Sequence, residues 1–165
     1  MRITTTHVYF WDGFLSNWHP APIAVDGLNV PDSETLFMVL KAKHFKDDDI
    51  ARQIIESTHP GDAKKLGRQI KNFDNAEWDR VKLGVMVNAC ILKFRQNQEL
   101  LEQLLDTGTR TLVEASPYDK VWGVGLKEDN DAILDEKNWL GENLLGKALM
   151  EVRTYFGLER QMNQP

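Results

Sequence analysis

Glu34 and Lys41 are the two residues of this chain best placed to do chemistry. They stand seven positions apart in Ser33-Glu34-Thr35-Leu36-Phe37-Met38-Val39-Leu40-Lys41-Ala42-Lys43-His44-Phe45. Seven residues are two helical turns, so a helix here points both side chains the same way. The stretch has the signals of a helix start. Pro31 cannot continue a helix ahead of it, and Asp32 or Ser33 can cap the first free N–H groups. Phe37, Leu40 and His44 recur at three- and four-residue spacing, which gives one face for burial. A carboxylate in the first turn lies near the positive end of the helix dipole, which favours its ionised form. A carboxylate and an amine side by side suit proton transfer and charge stabilisation. The plainer reading of the spacing alone is two solvated charges on a surface helix.

A second candidate cluster follows Ser116-Pro117-Tyr118-Asp119. Trp122-Gly123-Val124-Gly125 sets an aromatic beside two glycines, which suits a backbone that must approach a flat ligand closely. Ser16 and Asn17 lie between Phe14 and Trp18. Small polar side chains among aromatics either shape a ligand pocket or cap a loop over a core. In Ala63-Lys64-Lys65-Leu66-Gly67-Arg68, a helix N-terminus with Lys64 or Arg68 can hold a phosphate, or the segment is an ordinary surface helix.

Other motifs carry less. Gly141 to Lys147 copies the first part of a phosphate-binding loop, but Ala148 stands where that loop needs Ser or Thr for magnesium, so it reads as coincidence. His7, His19, His44 and His59 are scattered without metal-ligand spacing, and no metal or cofactor is expected. Asp47-Asp48-Asp49 cannot turn three adjacent carboxylates to one ion and reads as a helix cap. Cys90, the single cysteine, sits in an apolar helical run and reads as a buried thiol.

The elements that must position these residues follow in order. Val8-Tyr9-Phe10 reads as a short strand, and Trp11-Asp12-Gly13 as a turn. Pro22 to Val30 is a hairpin with its turn at Asp26-Gly27, delivering the chain into the helix of Glu34. A helix over Ile50–Ser57 is broken by His59-Pro60-Gly61-Asp62, and another starts at Ala63. Asp74 or Asn75 opens a long helix whose buried side is marked by Trp78, Val81, Val85, Ala89 or Cys90, Leu92 and Leu100 to Leu105. It pauses near Gln96-Asn97-Gln98. Thr111 to Ala115 is a strand, Lys127 to Lys137 a polar loop, and the last helix runs through Met150, Arg153 and Phe156 until Gly157 ends it. Gln161 to Pro165 are expected to fray.

With 165 residues, 42% apolar and 27% charged, the chain suits one compact soluble domain. The net charge of −5 speaks against a protein that coats nucleic acid, whose affinity would come from Lys and Arg. No run is apolar enough to span a bilayer and Met1 to His7 has no signal-type stretch, so no membrane partner and a cytoplasmic location are expected. The lone cysteine fits a reducing compartment. Oligomeric state is not legible.

Taken as an ordered set, the segments resemble the NADAR (YbiA-like) family. The matching pieces are Gly13-Phe14-Leu15-Ser16-Asn17-Trp18, Pro22-Ile23, Asp26-Gly27, Ser33-Glu34 with Phe37 and Lys41, and Gly67-Arg68. They continue with Trp78, Lys82, Met86, Lys93-Phe94, Leu112-Val113-Glu114, Asp119 and Trp122-Gly123-x-Gly125. The last is Gly141-x-Asn143-x-Leu145-Gly146 with Met150 and Arg153. The resemblance spans roughly residues 9 to 156. It implies an α+β, predominantly helical single domain with a few short strands, its core about residues 8 to 157. It also implies an N-glycosidase that cleaves a bond between a phosphorylated ribose and a base-like amine. Two substrate classes go with the family: ribosylamino-pyrimidine phosphates of riboflavin biosynthesis, and ADP-ribose on guanine. One departure is Val124, where relatives carry Asp; Asp119 is the nearby carboxylate that can stand in.

Breaking a ribosyl C–N bond builds positive charge on the sugar carbon, which a carboxylate stabilises while it positions water. Glu34 is the candidate. Lys41 either holds a phosphate as a cation or, desolvated, attacks the sugar carbon as a neutral amine. Trp122 stacks on the base with Gly123 giving room, and Ser16, Asn17, Arg68 and Asn143 contact the substrate. The rival is a non-catalytic module that binds ADP-ribose or a nucleotide without cleaving it.

Overall fold

The chain starts in one compact unit, Met1–Ser16, passes through a second, Asn17–Gln98, and returns to the first from Glu99 onward. A computed structural model describes residues 1–163. The fold class is the expected α+β, with helices predominating.

The first unit is built on a three-stranded sheet. Strands β1 (Arg2–Ile3) and β2 (His7–Phe10) pair antiparallel, with Arg2 opposite Tyr9. The third strand of this sheet, β5 (Thr111–Glu114), runs parallel to β2 with His7 opposite Thr111 and Phe10 opposite Glu114. Val8, Tyr9, Phe10, Leu112 and Val113 are all buried, so both strands of the parallel pair are covered, as parallel pairing demands. The expected strand to Ala115 ends one residue earlier. The two-residue β1 had no signal in the sequence.

The second unit opens with the hairpin β3 (Ile23–Val25) and β4 (Leu28–Val30). Its turn residues Asp26 and Gly27 both take positive φ, 49° and 78°, which is the twist-matched two-residue turn that Asp-Gly signals. Helices α1 (Ser33–His44), α2 (Asp48–Glu56), α3 (Pro60–Leu66) and α4 (Asn75–Gln96) follow. Asp47 caps α2 through Ile50 N–H at 3.2 Å and accepts Lys71 N–H at 2.8 Å with its other oxygen. It is therefore a buried tie as well as a cap, while Asp48 and Asp49 are solvated.

Two helix boundaries differ from the sequence expectation. His59-Pro60-Gly61-Asp62 starts α3 and does not separate it from its beginning: His59 Nδ1 accepts Gly61 N–H at 3.0 Å, and Pro60 sits at the first helical position, where its missing N–H is harmless. Gly157 does not end the last helix, α6 (Leu144–Met162). Burial of Val152 and Phe156 carries the helix past it, and Arg160 pairs with Glu102 on the following turn. Gln161 and Met162 are thus helical, and positions 164 and 165 lie outside the described residues. The pause after α4 is as expected, with Asn97 between it and α5 (Gln98–Asp106). The buried stripe of α4 is shifted, however, to Trp78, Met86, Ala89, Cys90, Lys93 and Phe94; Val81, Val85 and Leu92 are only partly covered. The polar loop after Lys127 holds two short 3-10 turns, Asp131–Leu134 and Glu136–Asn138. Among the described residues no helix is long and apolar enough to cross a membrane.

Candidate active site

In the second unit the site grows from the first turn of α1. Asp32, in extended conformation, accepts Thr35 N–H at 2.7 Å and so fixes where the helix begins. Glu34 N–H, one of the donors a helix leaves free at its start, donates to Asn17 O at 3.1 Å. Ser33 Oγ donates to Asn17 Oδ1 at 2.9 Å, Cys90 Sγ reaches the same oxygen at 3.9 Å, and Asn17 Nδ2 donates to Met86 Sδ at 3.2 Å. The amide of Asn17, a residue expected to contact substrate, fastens α1 to α4. Glu34 is held at 6% exposure, which removes the plain reading of a solvated surface charge.

Lys41 stands two turns on, half-buried. Its Nζ donates to Gly67 O at 3.0 Å and lies 4.6 Å from the Phe73 ring centre and 5.5 Å from that of Trp78. An ammonium over aromatic faces keeps much of its solvation energy while losing water. Burial pulls its pKa below the ordinary lysine value, the Arg68 charge adds to this, and Glu34 opposes it. Lys41 therefore lies within electrostatic reach of both Glu34 and Arg68, and Arg68 is exposed to solvent. Gly67 is required beneath them, since a Cβ there would run into Met38.

Sequence reasoning missed Lys93 as more than a matched family position. It is fully buried on α4, and burial lowers its pKa to about 8, against the pull of Cys90 and Asp32. Its charge and burial together lower His19, burial being the larger cause. The signal was available. Met86, Ala89, Cys90, Lys93 and Phe94 follow helical spacing, which puts a lysine inside an otherwise apolar stripe, and buried lysines are rare unless paired. The interaction with Asp32 places its charge behind the cap of the helix that carries Glu34.

In the first unit the second cluster is a loop that folds on itself. Ser116 Oγ accepts Asp119 N–H at 3.0 Å, and Asp119 Oδ1 accepts Val121 N–H at 2.9 Å and Trp122 N–H at 2.8 Å. Asp119 thus sets the place of Trp122 through the backbone. A Cβ on Gly123 would lie 2.8 Å from Ser116 Cβ and 3.0 Å from the carbonyls of Asp119 and Glu114, so this glycine serves close packing of the loop. Asn143 takes φ 54° and ties β5 to α6: its Oδ1 accepts Glu114 N–H at 3.0 Å and its Nδ2 donates to Leu112 O at 2.9 Å. Val124 is packed with Tyr9, Val113, Ala115 and Ile133. Its place is in the apolar core. Ser16 is buried at the end of the Gly13 turn, its N–H donating to Gly13 O at 2.9 Å.

The NADAR domain pattern matches residues 9–156. An N-glycosidase of Acanthamoeba polyphaga mimivirus is 41% identical over 121 residues, which are 73% of this chain and 71% of that protein. N-glycosidase YbiA of Escherichia coli is 34% identical over 148 residues, covering 90% and 84% of the two chains. The NMR structure of E. coli YbiA matches with a TM-score of 0.80 at 31% identity, over 99% of this chain and 92% of that one. A riboflavin biosynthesis protein of Vibrio vulnificus is 31% identical over 151 residues, 88% of this chain but 37% of that protein.

Proposed function

The chain belongs to the NADAR family and is an N-glycosidase, and on that footing we propose that it hydrolyses ribosylamino-pyrimidine phosphates at the bond between sugar and amine. The observation that carries the reading is the buried Glu34 on the same helix as Lys41, with Arg68 in electrostatic reach of Lys41. Glu34 stabilises the positive charge that grows on the sugar carbon and takes a proton from the attacking water. Lys41 and Arg68 hold the phosphate. The kinship with a riboflavin biosynthesis protein and the net charge of −5, unfavourable to nucleic-acid coating, support a small-molecule substrate.

A second reading of Lys41 is favoured by the burial that lowers its pKa. A neutral amine attacks the sugar carbon and the C–N bond to the base breaks as the base takes the amine's proton; the ring C–O bond at that carbon then opens to a hydroxyl as the imine forms, and water hydrolyses the imine. Borohydride distinguishes the two. A protein–sugar adduct trapped in the native chain and absent in Lys41→Arg assigns the imine; no adduct leaves Lys41 as the phosphate cation.

The decisive assay incubates the protein with a ribosylamino-pyrimidine phosphate and, separately, with an ADP-ribosylated guanine oligonucleotide, and follows released base by mass spectrometry. Release from the first is expected. Release from the second alone reassigns the substrate to ADP-ribose on guanine, and stoichiometric binding without release from either refutes hydrolysis. Glu34→Gln keeps shape and removes charge, so turnover should fall by roughly a hundredfold or more. Near-normal turnover in a folded variant would remove Glu34 from the mechanism.

A further inference from the structure

The first unit holds a pocket of about 360 Å³ lined by Trp11, Ala115, Pro117, Tyr118, Lys127, Glu128 and Asp129. That volume lies within the range of roughly 300–1,000 Å³ typical of small-molecule sites. None of these residues has a role in the cleavage described above. The pocket follows directly from the sheet. Trp11 comes after the last residue of β2, and Ala115 after the last residue of β5. The carboxyl ends of adjacent parallel strands are where open α/β sheets bind ligands.

Two features of its walls point to one chemistry. Trp11 and Tyr118 are 45% and 84% exposed, and their rings meet edge to face at 6.1 Å and 67°. Large aromatics left in water beside a cavity offer stacking area that the fold itself does not use. Opposite in character, Lys127, Glu128 and Asp129 supply an ammonium and two carboxylates. Glu128 Oε1 accepts from the Met1 amino group at 2.9 Å, while Oε2 is buried with no donor among the described residues. A buried carboxylate oxygen without a donor gains from any N–H that reaches it.

We propose that this pocket binds a heteroaromatic base that carries an exocyclic amino group, stacked on Trp11 and Tyr118. The amino group donates to the Glu128 or Asp129 carboxylate, and a ring nitrogen accepts from Lys127. Adenine and cytosine present this donor–acceptor edge. The two carboxylates disfavour phosphate in the pocket, so the base and its sugar are the bound portion. Binding here calls on none of Glu34, Lys41 or Arg68.

Titration calorimetry of the whole protein with adenosine and with purine riboside, which lacks the amino group, tests the assignment. Adenosine should bind one to one, and purine riboside at least about tenfold more weakly, the loss expected for a donor to a charged acceptor. Trp11→Ala and Tyr118→Ala should each weaken adenosine binding roughly five- to a hundredfold. Tyr118 is almost fully exposed, so its variant keeps the test open should Trp11→Ala fold poorly. A short oligoadenylate that binds more tightly than adenosine identifies the base as part of a nucleic acid; equal binding identifies a free nucleoside. Equal affinity for the two nucleosides would overturn the proposal. So would adenosine binding that survives both Trp11→Ala and Tyr118→Ala but is lost in Trp122→Ala.

Discussion

Raising the pH from 8 to 9 should stabilise the native protein relative to Lys93→Met. Lys93 is fully buried and its pKa falls from the ordinary 10.5 to about 8, chiefly through burial. The folded chain then releases this proton near pH 8, while the unfolded chain keeps it to about 10.5. Between those values the unfolded state binds more protons, so stability rises with pH through the window. Below pH 8 the whole penalty of the buried charge is present, on the order of 3 kcal/mol for a shift of this size. Cys90 works in the opposite direction higher up, since burial pushes its thiol from 9.0 to about 11. A buried thiol resists ionisation, so its contribution declines as pH passes 9. The step from pH 8 to 9 therefore isolates Lys93 best. Urea unfolding of both proteins at each pH, followed by tryptophan fluorescence, reads the effect. The difference in unfolding free energy between native and Lys93→Met should change by about 1 kcal/mol over that step. With the usual urea dependence this is a relative midpoint shift of roughly 0.5 M. Comparison with the variant cancels every other group that titrates. Parallel curves for the two proteins would refute the view that an uncomfortable ammonium lies under α1.

Glycine substitutions should divide cleanly by the space at each site. A Cβ on Gly84 or Gly157 meets nothing within 4 Å, and both are helical, so Gly84→Ala and Gly157→Ala should each stabilise by about 0.5–1 kcal/mol, measured as a raised thermal midpoint. Gly146→Ala should lower the midpoint by several degrees, because its Cβ would collide with Leu112 O and the Asn143 side chain; overpacking of this kind costs about 1–3 kcal/mol. Asn143→Asp retains the oxygen facing Glu114 N–H but sets a second oxygen against Leu112 O. A loss of roughly 1–3 kcal/mol in chemical denaturation is expected, without a direct effect on the sugar-cleaving groups.

The start of α1 was legible because its signals are local. Pro31, the Asp32 cap and the Asp26-Gly27 turn each act within four residues, and the structure places all three as their chemistry requires. The burial of Glu34 was not legible, since Asn17, which anchors this turn through Glu34 N–H, is distant in sequence. Asn17 and Asn143 show the same limit from the other side. An asparagine in a glycine-rich, aromatic stretch looks like a ligand contact, yet both amides are engaged in joining elements of the fold. Pairing of β2 with β5 had no local sign at all. Gly157 misled because a glycine ends a helix only where burial does not carry the chain onward.

The parallel pairing of β2 with β5 bears on how the chain acquires its structure. About a hundred residues separate Phe10 from Thr111, so the parallel pair of the sheet closes only after a long loop has been drawn together, at an entropic expense that local helices avoid. During synthesis β2 emerges well before β5, and until then its partner in the sheet is the two-residue β1. The hairpin and α1 to α4 gather within residues 17–98, a stretch with no such long loop to close. Order of folding is thereby written into topology: helices early, sheet late. The buried face of Val8, Tyr9 and Phe10 is the surface that must stay shielded from other chains in the interval.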